Sequence, residues 1–305
     1  MTSNERMSRK TRIKQNVPLF LMLLLPISFF VIFSYIPMLG AVIAFKDYRF
    51  LDGIIGSEWV GLRNFKMIFA QQQTLQVIRN TFVISLLTVV VTFPFPIILA
   101  ILLNEIRVKW YKKAAQTIFY LPHFFSWIIV GGIIINIFSV NNGPISFIVQ
   151  AFGGEPKQLL FEPTSWMAIF LGAGIWKDAG FSAIIYLAAL SSIDPTYYEA
   201  AVVDGANKWQ QITKVTIPCL VPIIILTFIL ATGQIMEVGF DRIYVLQNPI
   251  VSDISEVVST FVYTDGIRAG EFSLTTAMGL FESLVGLLLV LTINRLAKRS
   301  GNALF

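Results

Sequence analysis

The sequence predicts an all-α integral membrane protein of six transmembrane helices with both termini cytoplasmic. Three observations carry that prediction: the apolar composition, the number and length of apolar runs, and the division of Lys and Arg between the loops. Hydrophobic residues make up 55% of the 305-residue chain and charged residues 13%. A soluble domain carries roughly a quarter charged residues because its surface faces water, and a mean hydropathy of +0.72 excludes that class. The net charge of +5 would suit nucleic acid or anionic lipid. The cations lie beside apolar segments, so topogenic charge accounts for them and no nucleic-acid partner is expected. One cysteine, Cys219, and one histidine, His123, exclude an intrachain disulfide, a His pair for zinc and a multi-cysteine metal site.

Crossing the hydrocarbon core takes about 20 apolar residues, and the candidate spans are 17–45, 77–103, 118–139, 166–190, 218–238 and 274–296. The first follows a basic tail, 1–16, as a signal peptide would. Its apolar stretch exceeds an ordinary h-region and ends without a small-residue cleavage site, so an uncleaved span is expected. Cytoplasmic loops hold the excess of Lys and Arg. The N-terminal tail, 104–117, 191–217 and the C-terminal tail hold 14, the opposite loops 8, and Lys177 lies inside the fourth span. Both termini and the 191–217 loop therefore face the cytoplasm. The transmembrane domain covers 17–297, followed by a short tail, 298–305. The outer loops 46–76 and 239–273 are large enough for short surface helices, and no repeat or separate soluble domain is seen.

In the second span, Phe93-Pro94-Phe95-Pro96 removes backbone donors and predicts a kink. The most informative segment begins at Ser192-Ile193-Asp194-Pro195. Asp194 suits an N-cap and Pro195 the first helical position. Gly205 supplies the freedom to end that helix. Asn207 then caps a second short helix to about Lys214, and Ile217-Pro218 starts the fifth span. An interfacial helix would favour Lys and Arg on its polar face. Here Glu199 and Asp204 come first, and the small Ala200 and Ala201 allow close approach, so a docking element is the better account.

Glu199-Ala200-Ala201, three residues, Gly205, nine residues, and Val215-Thr216-Ile217-Pro218 resembles the EAA loop of binding-protein-dependent ABC importer permeases. Val215 and Ile217 are mild departures from the family's usual Ile and Leu. Asn104-Glu105, Tyr120-Leu121-Pro122-His123-Phe124 and Gly239-Phe240-Asp241-Arg242-Ile243-Tyr244 are similar to the carbohydrate-uptake branch, most of all to polysaccharide and complex-oligosaccharide permeases. The resemblance implies a type I ABC importer permease fold in the bacterial cytoplasmic membrane. It implies that the loop is a coupling helix seated in a cleft of the ATPase. Glu199, Ala200, Ala201, Asp204, Gly205 and Ala206 would make that contact. It also implies two ATP-binding cassette ATPase subunits, a second and different permease, an extracytoplasmic solute-binding protein and a carbohydrate substrate. The chain has no Gly-x-x-x-x-Gly-Lys-Ser/Thr loop to cradle phosphate. ATP and Mg thus belong to the separate ATPase, and the chain is not itself an enzyme.

Lys177 and Asp178, with Trp176, lie mid-span, where charge is costly and faces a partner or a polar cavity. They suit a sugar pathway with Trp176 stacking on a ring, or a structural interaction with another span or the partner permease. Adjacent helical residues do not face each other, so Lys177 and Asp178 need not pair. Asn136, Asn141 and Asn142 read as loop and turn residues. His123 reads as a satisfied interfacial histidine, and Phe124, Phe125 and Trp127 beside it as interface anchors. An ion-coupled secondary transporter would need acids such as Asp178 and Glu237, which form no recognisable relay. An intramembrane enzyme would need a catalytic cluster, and carboxylates here are scattered. An ABC permease for peptides or amino acids is the remaining rival.

Overall fold

The computed structural model describes residues 9–233 and 239–298. Glu237 lies outside these residues, as do Arg6 and Arg299 of the tails. The helices that frame the fold are, in chain order, α1 (Asn16–Phe45), α2 (Gln72–Glu105), α3 (Lys109–Phe124), α4 (Trp127–Ile137), α5 (Pro163–Ser191), α6 (Pro195–Val203), α7 (Lys208–Gly233), α8 (Phe240–Leu246) and α9 (Phe272–Leu296). Of these, α1, α2, α5, α7 and α9 are long and apolar enough to cross a membrane. Short helices occupy both long loops, 46–76 and 239–273, including Arg63–Ala70 and Val258–Phe261. One exception to the all-α expectation is a two-residue antiparallel ladder pairing Lys46 with Trp59 and Asp47 with Glu58.

The segment expected to form the third span, 118–139, is the end of α3 and all of α4, a pair bent by 102°. Pro122 sits in a 3-10 turn, Leu121–Phe124, that ends α3. Phe125 and Ser126 are extended, and the Ser126 hydroxyl accepts the Ile129 amide at 3.4 Å to start α4.

Pro18, Pro26 and Pro222 lie inside continuous helix, while other prolines of the spans come with a local change. Phe93 interrupts α2 between Gln72–Thr92 and Pro94–Glu105 while keeping helical dihedrals, so the expected kink is a local loss of bonding. Elsewhere the turn before an Ile-Pro pair widens. Val31–Tyr35 precedes Ile36-Pro37 and Ile212–Thr216 precedes Ile217-Pro218, both as π turns. A proline has no N–H and its ring crowds the carbonyl four residues back; a π turn rearranges the bonding just ahead of it. This corrects the expectation of a separate short helix ending near Lys214, because α7 runs unbroken from Lys208.

α5 organises the interior. Trp166, Phe170, Gly174, Lys177, Gly180, Ala183, Tyr186 and Leu190 are buried on it at intervals of three or four residues, the spacing of one helical face. Its outer half packs with Ile84, Val130, Ile134, Ile243 and Leu246. Its other half packs with Ala100 and Leu220. Gly180 lets α3 close in, because a Cβ there would run into the Phe119 carbonyl oxygen. A third cluster joins Ala44 and Ile68 to Val258, Phe261, Leu274 and Met278.

Candidate functional site

Two features stand out: the α6 loop and a cavity beside the middle of α5. The loop is built as its residues predict. Asp194 caps α6 by accepting the Thr196 amide at 2.9 Å, and that bond holds the Asp194 carboxyl below its usual range. Gly205, with φ +78°, closes the other end. The Gly205 amide reaches the Val202 carbonyl at 3.0 Å and the Ala206 amide reaches the Ala201 carbonyl at 2.8 Å, the bonding of a glycine C-cap. Asn207 and Gln210 form a reciprocal capping box that starts α7. Three bonds hold the loop to the body. Tyr198 Oη and Thr216 Oγ1 lie 3.0 Å apart, Gln211 Nε2 donates to the Ala206 carbonyl at 3.0 Å, and Lys208 Nζ lies 3.4 Å from Glu105 Oε2.

α6 contains no buried residue. Glu199, Ala200, Asp204 and Gly205 are exposed, and Ala201 and Ala206 half-buried. Val203 is 87% and Trp209 72% exposed. The loop is thus a capped, anchored helix that presents small, acidic and apolar side chains outward.

The cavity has a volume of about 810 Å³ and is walled by α2 (Ser85, Thr88, Phe93), α5 (Gly174, Asp178, Phe181), α7 (Thr227) and Arg242 of α8. Asp178 is the meeting point of its charges. His123 Nδ1 lies 3.0 Å and Lys177 Nζ 3.6 Å from Asp178 Oδ1. Lys177 Nζ also donates to the His123 carbonyl at 2.8 Å. Lys177 and Asp178 therefore do meet, because the long lysine side chain bends back to its neighbour and to α3. The bend after α3 places His123 beside the middle of α5, where its ring stacks on Phe181 at 4.0 Å. His123 is satisfied, as expected, but not by the interface.

Trp176 is half-exposed and is not part of the cavity wall. Trp127, expected to be an interface anchor, instead lies half-buried beside the charged groups. Lys177 Nζ is 5.5 Å and Arg242 Cζ 5.2 Å from its ring. Asn136 donates to the Gly132 carbonyl within its own helix, and Asn141 and Asn142 lie exposed in a turn. Sequence reasoning counted Arg242 among the loop cations and within the 239–244 segment similar to carbohydrate-uptake permeases, but gave it no role at the site. It is buried, with its guanidinium 3.8 Å over the Phe170 ring and Nη2 donating to the Phe170 carbonyl at 2.6 Å. Nothing local in the sequence marks it, because its partners lie on α4 and α5. Among the described residues there is no cluster of His, Cys, Asp and Glu able to hold a metal.

Comparison with known proteins adds the following. The family model described as "Binding-protein-dependent transport system inner membrane component" matches residues 93–302. The polygalacturonan/rhamnogalacturonan transport system permease protein YteP of Bacillus subtilis (strain 168) is 42% identical over 93% of this chain and 88% of its own length. Protein LplB of the same organism is 37% identical over 98% of this chain and 94% of its own. A solved chain of a bacterial ABC transporter involved in the import of the acidic polysaccharide alginate superposes with a TM-score of 0.88. It is 39% identical and the match covers 95% of this chain and 98% of that one.

Proposed function

We propose, from the premise that the chain belongs to the binding-protein-dependent transport system inner membrane components, that it is the permease subunit of an ATP-driven importer for oligosaccharides or polysaccharide fragments. It resides in the bacterial cytoplasmic membrane and forms half of the translocation path. The bent pair α3 and α4 counts as one span, giving six, and the excess of Lys and Arg places both termini in the cytoplasm. Two ATPase subunits that bind ATP and Mg, a second and different permease, and an extracytoplasmic solute-binding protein complete the machine.

The observation that carries this reading is α6: a helix capped at both ends, tied to α7 through Tyr198 and Gln211, and without one buried residue. A short helix held in that way is suited to transmit force to a partner rather than to fill a core. Glu199 supplies the charged contact to the ATPase, Ala200, Ala201 and Ala206 the close approach, and Asp204 with Gly205 the turn. Closure of the ATPases pushes this loop and, through the continuous α7, rocks the spans between inward- and outward-facing states. The path itself runs past Asp178 and Lys177 at the cavity, with Trp176 on the neighbouring face of α5.

The test is ATPase activity of the reconstituted complex with and without oligosaccharide-loaded binding protein. Stimulation that disappears on Glu199→Ala or Gly205→Val supports the reading. Failure of any ATPase to co-purify, with uptake driven by an ion gradient alone, overturns it.

A further inference from the structure

Asp178 and Arg242 line the cavity, and His123 and Lys177 lie against Asp178. Asp178 is their one carboxylate, and it is already engaged by His123 at 3.0 Å and Lys177 at 3.6 Å. Arg242 makes no ion pair among the described residues, although it is only 7% exposed and lines the cavity. A guanidinium carries five N–H donors. The bonding in view is Nη2 to the Phe170 carbonyl, while Nε is buried without a partner. Phe170 and Trp127 fix the plane of the group. Gly174 leaves it room, since a Cβ there would collide with Nη2. Asp178 acts on Arg242 through its charge without forming an ion pair with it, so one carboxylate serves both Lys177 and Arg242, and a desolvated cation is costly until an anion joins it.

We propose that Arg242 is a specificity-determining residue that pairs with the carboxylate of a uronate-bearing saccharide, so that the path favours acidic over neutral sugars. This rests on the saccharide-import reading. Phe93, Phe181, Ser85, Thr88 and Thr227 also line the cavity. Sugar rings and their carboxylates would thus find aromatic side chains and one buried cation without an ion pair of its own among the described residues.

The experiment uses the full complex in proteoliposomes with its binding protein. It measures uptake of galacturonate, mannuronate and glucuronate oligomers and of the same oligomers after carboxyl reduction. Arg242→Gln is expected to lower uptake of the acidic oligomers by about 30-fold or more relative to the reduced ones. Arg242→Lys is expected to recover part of the loss, because the ammonium keeps the charge without the fork. The binding protein is common to all variants, so a changed ratio belongs to the membrane path. Equal loss for acidic and reduced oligomers, or no loss of the acidic ones, overturns the proposal. Uptake of neither kind by the wild type overturns the saccharide reading itself. Should Arg242→Gln fail to fold, Arg242→Lys decides, since its ratio of acidic to reduced uptake must still fall.

Discussion

Substitution at Gly205 separates the two reasons a glycine could be needed in a coupling turn. Its φ of +78° is a conformation that Cβ-bearing residues adopt at a cost of roughly 1–2 kcal/mol. A Cβ there meets nothing within 4 Å in this chain, so the penalty within the subunit is conformational and not steric. A cost of that size lowers the population of the formed turn roughly 5- to 30-fold. Gly205→Ala is therefore expected to reduce uptake per ATP hydrolysed in proteoliposomes. Gly205→Asn should stay close to wild type, because Asn visits the left-handed region routinely. Hydrogen exchange of the 195–206 backbone, measured in parallel, should rise in the Ala variant and little in the Asn variant. If Ala and Asn fail equally while exchange is unchanged, room for the ATPase, and not the turn, sets the requirement, and the conformational argument is refuted. If Gly205→Val, with a branched side chain, retains the wild-type ratio of uptake to ATP, the loop is not the coupling element.

Three further outcomes follow from the packing. Gly180→Ala forces a methyl against the Phe119 carbonyl; such overpacking costs about 1–3 kcal/mol, read as a lower Tm of the purified complex. An unchanged Tm would mean that α3 does not dock on α5 as described. Tyr198→Phe removes the contact with Thr216 and should loosen α6 by about 1 kcal/mol. The expected signature is faster exchange confined to 195–206, and an unaltered rate there would deny the anchor. Asp178→Asn removes the charge facing Lys177 and His123 but keeps an acceptor oxygen, and Lys177 retains its bond to the His123 carbonyl and its place near the Trp127 ring. The Asp178 side chain is 44% exposed, so the loss should be about 1–2 kcal/mol, below the range for a fully buried pair, and a larger fall in Tm would contradict that exposure.

The loop was legible in the sequence because its bonds are local. Asp194, Gly205 and Asn207 act on residues within a few positions of themselves, and each stands where its capping chemistry requires. The long apolar helices were legible for a similar reason, since length and composition are properties of one segment. The bend between α3 and α4 was missed although Pro122 and the cap residue Ser126 are present, because the apolar run continues across them. Hydropathy records what a segment dissolves in and not which way it points. The unbroken α7 was missed because Pro218 signals a start, whereas the π turn ahead of it carries the helix through. Arg242, Trp127 and the contact of His123 with Asp178 depend on segments far apart in the chain. Nη2 of Arg242 reaches a carbonyl 72 positions away, and no local pattern encodes that.

The arrangement of α1 bears on how the protein is made. None of its most apolar 18-residue window is buried against the rest of the chain. Only its last part joins the body, where Ala44 packs with Leu274, Ala277 and Met278 of α9 and the Tyr48 amide bonds Ser273. α1 thus leaves the ribosome well before α9, with which its end packs. At 5–20 residues per second, that leaves it waiting on the order of ten seconds or more. During that interval lipid or the insertion machinery is its environment. A nascent chain halted before α9 would have α1 tied at its end by Asn64 on the Ala44 carbonyl but without its packing on α9, a ready mark for membrane quality control.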